Sequence, residues 1–146
     1  MSTVPYRLAR LVALGRIAIG CTALAAPTVM TRPWIGSAAE SADARLLART
    51  MGGRDLALGI GTLRALNVSA AEARPWVGLS GMADAVDATV TVLAFRRLPG
   101  RTRWGILAST VGAAVVSFRV AVALETPVPA SELGEPPVDP DLLRSA

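Results

Sequence analysis

The 146-residue sequence contains no lysine, no histidine and a single cysteine, Cys21. Without histidine, the familiar pairings of a nucleophile with an imidazole base are excluded. One thiol and no imidazole leave no usual donor set for zinc, haem or an iron–sulfur cluster. A lone cysteine cannot close an intramolecular disulfide. Aromatic residues number six (three Trp, two Phe, one Tyr), and charged residues make up 18% of the chain. A soluble domain carries about 25% charged residues. All fifteen basic residues are arginine, and the net charge is +4. Such a balance ordinarily suggests nucleic acid. Here the arginines are scattered between apolar blocks with no stacking aromatics beside them, which excludes that class. Composition therefore describes a non-enzymatic protein with no cofactor and no nucleic-acid partner.

What is present is apolar. Hydrophobic residues make up 52% of the chain, and mean hydropathy is +0.47. Four apolar blocks stand out, near residues 11–30, 53–68, 77–95 and 104–124. A helix needs about 17–25 residues to cross a bilayer core. The first, third and fourth blocks meet that length, and the second borrows residues from the loop before it. Pro27 and the run Arg32, Pro33, Trp34 close the first block; Pro75 and Pro99 punctuate the later gaps. Residues 41–51 read as an amphipathic interfacial helix. Asp43 supports its start, Leu46, Leu47 and Met51 share a face, and Gly52 and Gly53 mark a bend. The expected fold is an all-α, four-span transmembrane bundle over residues 1–124, with a short interfacial helix after the first span. Residues 125–146, with five prolines and five acidic residues, form a solvated tail. The first block is read as a retained helix, although Ala23, Leu24 and Ala25 imitate a signal-peptide cleavage site.

Ionisable groups within spans are costly and mark function. Counting from the nearer block end places Arg16, Arg64, Asp84 and Arg119 at one depth, with Asp87 a turn deeper. Asp84 and Asp87 share a helix face. The expectation is an intramembrane network of Asp84, Asp87, Arg16, Arg64 and Arg119, whose charges neutralise one another and fix helix register. A proton or ion pathway and an arginine-lined pocket for an anionic ligand or lipid head group are the alternatives. Arg54 and Asp55 are placed at the opposite end of their span, where Asp55 pairs with Arg54, Arg49 or free helix N–H groups. Small residues recur every four positions at Gly53, Ala57, Gly61 and Ala65, and at Gly105, Ser109, Ala113, Ser117 and Ala121. Both ladders read as packing seams within the bundle, with oligomer contacts as the alternative. Three arginines flank the spans on the side holding the N-terminus, the second loop and the tail. Seven flank the other side, which favours the first and third loops in the cytoplasm.

Two motifs carry a resemblance. Residues 49–61 follow the pattern R-x-x-G-x-R-D-x-x-L-G-x-G, and Trp76 is followed by A-D-x-x-D at residues 83–87. Together they resemble a group of small four-helix membrane proteins of GC-rich bacteria that share a domain of unknown function. The resemblance spans residues 7–124. It implies a four-helix bundle and a shared importance for Arg54, Asp55, Asp84 and Asp87, with no activity attached. A looser similarity to four-helix DoxX-like membrane proteins rests on topology. The expected role is that of a multi-pass protein of the cytoplasmic membrane, an accessory or scaffold component. Its expected partners are the bilayer and either a homo-oligomer or a larger complex. The alternative is a small transporter or proton-coupled permeation protein that uses the Asp/Arg network.

Overall fold

The computed structural model describes residues 3–98, 100 and 102–124. The tail assigned to residues 125–146 lies outside them, as does Arg101. Helices account for nearly all of the described chain, and no strand occurs among those residues. The order is α1 (Thr3–Ala25), α2 (Pro27–Ile35), a 3-10 turn (Gly36–Glu40), α3 (Ala42–Leu66), α4 (Ala70–Leu93) and α5 (Thr102–Ala123). α1 packs mainly on α3 and α4 mainly on α5, and the α3–α4 contact joins the two pairs. α2 folds back to touch α1, α3 and α5 at one end of the bundle.

Helix boundaries follow local chemistry. Pro27 has no N–H and its ring clashes with the preceding turn, so α1 stops at Ala25 and α2 restarts with Pro27 in its first turn. The first apolar block is thus two helices, and the pair Pro33, Trp34 lies inside α2 rather than in a loop. At the start of α3 the Ser41 hydroxyl accepts a hydrogen bond from the Ala44 N–H at 3.1 Å. At α4 the Ser69 hydroxyl caps the Glu72 N–H at 3.1 Å. With Glu three residues beyond Ser, that is a capping-box sequence. It shortens the expected loop of residues 69–76 to a three-residue turn, and Pro75 falls inside α4.

The expected interfacial helix is not a separate element. Residues 42–66 form one continuous helix through Gly52 and Gly53. Neither glycine ends it, and α1 packs along this helix. Gly52 lies against α1, where an added Cβ would sit 2.8 Å from the Ala23 Cβ and 3.0 Å from the Gly20 carbonyl oxygen. Gly59 meets the Ala13 carbonyl oxygen in the same way, at 2.7 Å. Missing side chains are what let these two helices approach.

The seams do not follow the four-residue ladders. Buried positions in α1 are Ala9, Ala13, Arg16, Gly20 and Ala23. In α3 they include Ala48, Gly52, Asp55, Gly59, Thr62 and Leu66. Both alternate steps of four and three, the spacing of a knobs-into-holes seam. A strict step of four advances about 400° and drifts around the helix. Gly53 and Ala57 are consequently exposed, as are Gly105, Ser109 and Ala113; only the ends of the ladders, at Ala65, Ser117 and Ala121, are buried.

The interior is small and polar while the exterior is apolar. Among the largest fully buried side chains, three of the four are Thr62, Ser80 and Ser117. Leu11, Leu14, Val86, Val90, Val115 and Val122 are all exposed. A small apolar cluster closes one end, built on Ala9, Leu66, Val77 and Val120 with Tyr6 and Leu124 against it. At the opposite end Phe95 and Trp104 meet edge to face at 4.8 Å, with the Arg103 guanidinium over the Phe95 ring. The segments Val4–Ala25 and Thr102–Ala123 are long and apolar enough to cross a membrane, and about a third or less of each is buried within the fold. α3 and α4 match them in length but carry the interior charges.

The Gly59→Ala variant is expected to lose about 1–3 kcal/mol of stability, because its Cβ must displace α1 backbone. Gly53→Ala, with nothing within 4 Å of the new Cβ, is expected to gain about 0.5–1 kcal/mol from helix propensity. Unfolding of the detergent-solubilised protein measures both.

Candidate functional site

The charged interior begins with Arg16, whose side chain is 7% exposed. It occupies a seam position of α1 between Ala13 and Gly20. Its Nη1 donates to Asp55 Oδ1 of α3 at 2.8 Å. Its Nη2 donates to the Ser80 carbonyl oxygen of α4 at 2.7 Å and lies 2.6 Å from Asp84 Oδ2. Asp84 is one turn beyond Ser80, so its carboxylate and that carbonyl share the same side of α4. One guanidinium therefore ties three helices together.

A second arginine extends the chain. Arg54 Nη1 and Nη2 donate to Asp87 Oδ1 and Oδ2 at 3.0 and 2.8 Å, the two-pronged geometry that arginine forms with a carboxylate. The Arg54 Nε and Nη2 groups also donate to Asp55 Oδ1 at 3.2 and 3.1 Å. The result is a continuous run: Asp84, Arg16, Asp55, Arg54, Asp87. Two cations face three anions, leaving one formal negative charge. Within this cluster Arg16 Nε and the Ser80 hydroxyl stay buried without a hydrogen-bond partner among the described residues.

Arg16, Asp84 and Asp87 of the expected network are brought together here. Arg64 and Arg119 are not. Both are exposed, and neither forms an ion pair among the described residues. Arg64 lies on an open groove with Glu72 and Trp76. The depth count went astray because α3 begins at Ala42 rather than Gly53. Arg54 is twelve residues from either end of α3 (Ala42–Leu66), at mid-helix instead of at a terminus. Arg64 and Arg119 also miss the seams: Thr62 and Leu66 are the buried positions around the first, Ser117 and Val120 around the second. They project outward near the helix ends. The signal that would have found Arg54 and Asp55 is the seam spacing itself, which runs from Gly52 through Asp55 to Gly59.

A cavity of about 190 Å³ opens beside this chain, on the end of the bundle closed by α2. Asp55, Asp84, Asp87 and Arg54 contribute its polar wall, and Ile19, Met30, Trp34, Met51 and Ala113 contribute apolar wall. No three of the Asp, Glu, His and Cys side chains among the described residues are grouped so as to hold a metal ion. No family model matches the chain, and no curated protein or solved structure matches it.

Removing one partner of a buried ion pair costs about 3–5 kcal/mol, since the other charge is left uncompensated. Arg16→Met is expected to destabilise by that order and to separate α1 from α4. Arg64→Gln and Arg119→Gln are expected to stay within about 0.5 kcal/mol of the parent. Thermal unfolding in one detergent compares all three; equal losses at Arg16 and Arg64 would refute the assignment.

Proposed function

We propose that the chain is a small, non-enzymatic, four-span protein of the cytoplasmic membrane, and that its ionic chain serves permeation, as a proton-coupled or small-solute pathway. The observation that carries the reading is the cavity: three carboxylates on its wall are open to solvent-sized molecules at the level of mid-helix. A charge network that only fixed helix register would need no such opening, which is why permeation is preferred to a scaffold role.

The four-span part rests on the distribution of polarity. In α4 the charges turn inward while Leu79, Met82, Val86 and Val90 face out. From Arg74 to the end of α4 at Leu93 the outer surface is free of charge over about 28 Å of helix, close to the thickness of a hydrocarbon core. α3 and α4 are too polar to stand in lipid singly. Paired with α1 and α5 they bury their charges and expose apolar faces, as intramembrane ionisable groups require. Membership in the small four-helix family of GC-rich bacteria belongs to the same proposal, since the charges of its two motifs, Arg54, Asp55, Asp84 and Asp87, all lie in the chain described above.

Proteoliposomes with a pH-sensitive dye inside test the reading. A potential-driven proton flux is expected from the parent protein, with at least a tenfold decrease in the double variant Asp84→Asn, Asp87→Asn. Arg64→Gln is expected to leave the flux unchanged. Equal flux from the parent and the double variant would remove the permeation reading.

A further inference from the structure

We propose that the cavity lined by α1, α2, α3, α4 and α5 binds a small apolar ammonium cation, an amine on a compact hydrocarbon body. The inference rests on the reading of this cavity as the functional centre and adds the class of ligand.

Three observations converge. The first is the charge count. Of the ionisable side chains lining the cavity, three are carboxylates and one is a guanidinium; with Arg16 behind them the group still holds one negative charge in excess. An anionic ligand would add to that excess, and a monocation would cancel it. The second is the hydrogen-bonding inventory. Asp55 Oδ1 takes the contacts from both arginines, while Asp55 Oδ2 accepts nothing among the described residues. Asp84 meets Arg16 through Oδ2, and its Oδ1 likewise accepts nothing there. Both carboxylates line the cavity, so a donor bound there meets oxygens that no described group already occupies. Asp55 is only 8% exposed, so an unmade hydrogen bond there is costly.

The third observation is the rest of the wall. Ile19, Met30, Met51 and Trp34 suit a hydrocarbon body. An indole face and thioether sulfurs are favourable neighbours for an organic cation. They are poor ones for a hydrated inorganic ion, which needs oxygen ligands around it, and the three carboxylates do not converge as a metal-holding group. The volume of about 190 Å³ equals that of roughly six waters at about 30 Å³ each, enough for one ring with a short aminoalkyl arm.

The test uses the full chain in phosphatidylcholine nanodiscs, with phenethylammonium as the probe and titration calorimetry as the readout. Phenethylammonium is expected to bind at least tenfold more tightly than its neutral counterpart phenethyl alcohol, and phenylacetate is expected not to bind. Asp84→Asn is expected to weaken the ammonium at least tenfold and leave the alcohol unchanged. Ala113→Phe fills the cavity from α5 without touching an ion pair and is expected to abolish binding in a protein that still folds. Equal binding of amine and alcohol, or full binding by Ala113→Phe, would overturn the proposal. Proton flux without amine binding overturns it and leaves the permeation reading standing. Amine binding without flux supports it and removes permeation. Repeating the titration with phosphatidylethanolamine in the disc separates two sources of the same chemistry. Competition assigns the site to a lipid headgroup amine, and unchanged binding assigns it to a free solute.

Discussion

The arrangement depends on one guanidinium. Arg16 reaches Asp55 on α3 and both Asp84 and the Ser80 carbonyl on α4, all from a single side chain on α1. Only a planar fork with several donors can do this; a lysine ammonium is a compact point charge on a flexible stem. The lysine-free alphabet thus has a local counterpart in the core, where the geometry needs arginine. Remove this group and two largely buried carboxylates lose a partner, a far larger loss than any one apolar contact in this small-residue interior provides.

Packing and electrostatics support each other at the same positions. Ala13 and Gly20 flank Arg16 on its seam, while Gly52 and Gly59 flank Asp55 on the facing one. Small neighbours draw the helices close enough for the long arginine to reach across two of them. The price is an interior with few large apolar side chains, so van der Waals contact between backbones and the ion pairs together replace the usual leucine-rich core. The outer surface then carries the hydrocarbon that would otherwise be inside.

Composition and block length made the helical class and the inward turn of Asp84 and Asp87 legible in the sequence. Arg16 was recognisable as a charge that could not face hydrocarbon. Arg54 and Asp55 were harder to place because hydropathy starts the second block at Gly53, whereas the helix starts eleven residues earlier at Ala42, capped by Ser41. Hydropathy marks where apolar residues begin; capping marks where the helix begins, and depth must be counted from the second. The failure at Arg64 and Arg119 has a different cause. Depth alone does not assign a face, and the fixed four-residue ladder obscured the alternating step that does. The cavity had no signal in the sequence, since it arises where α2 folds back over the bundle.

Chain order gives the Arg16 contacts a consequence for biogenesis. In the four-span arrangement, α1 enters the bilayer first, with a cation whose nearest partner, Asp55, is 39 residues further along the chain and whose second partner follows on α4. Until α3 and α4 arrive, that charge must be met by water or lipid headgroups. α3 and α4, too polar to insert stably alone, find in it the counter-charge that holds them. On the proposed four-span reading, integration would be a cooperative event that waits for α4, and a ribosome stalled before α4 would leave the central arginine only half matched.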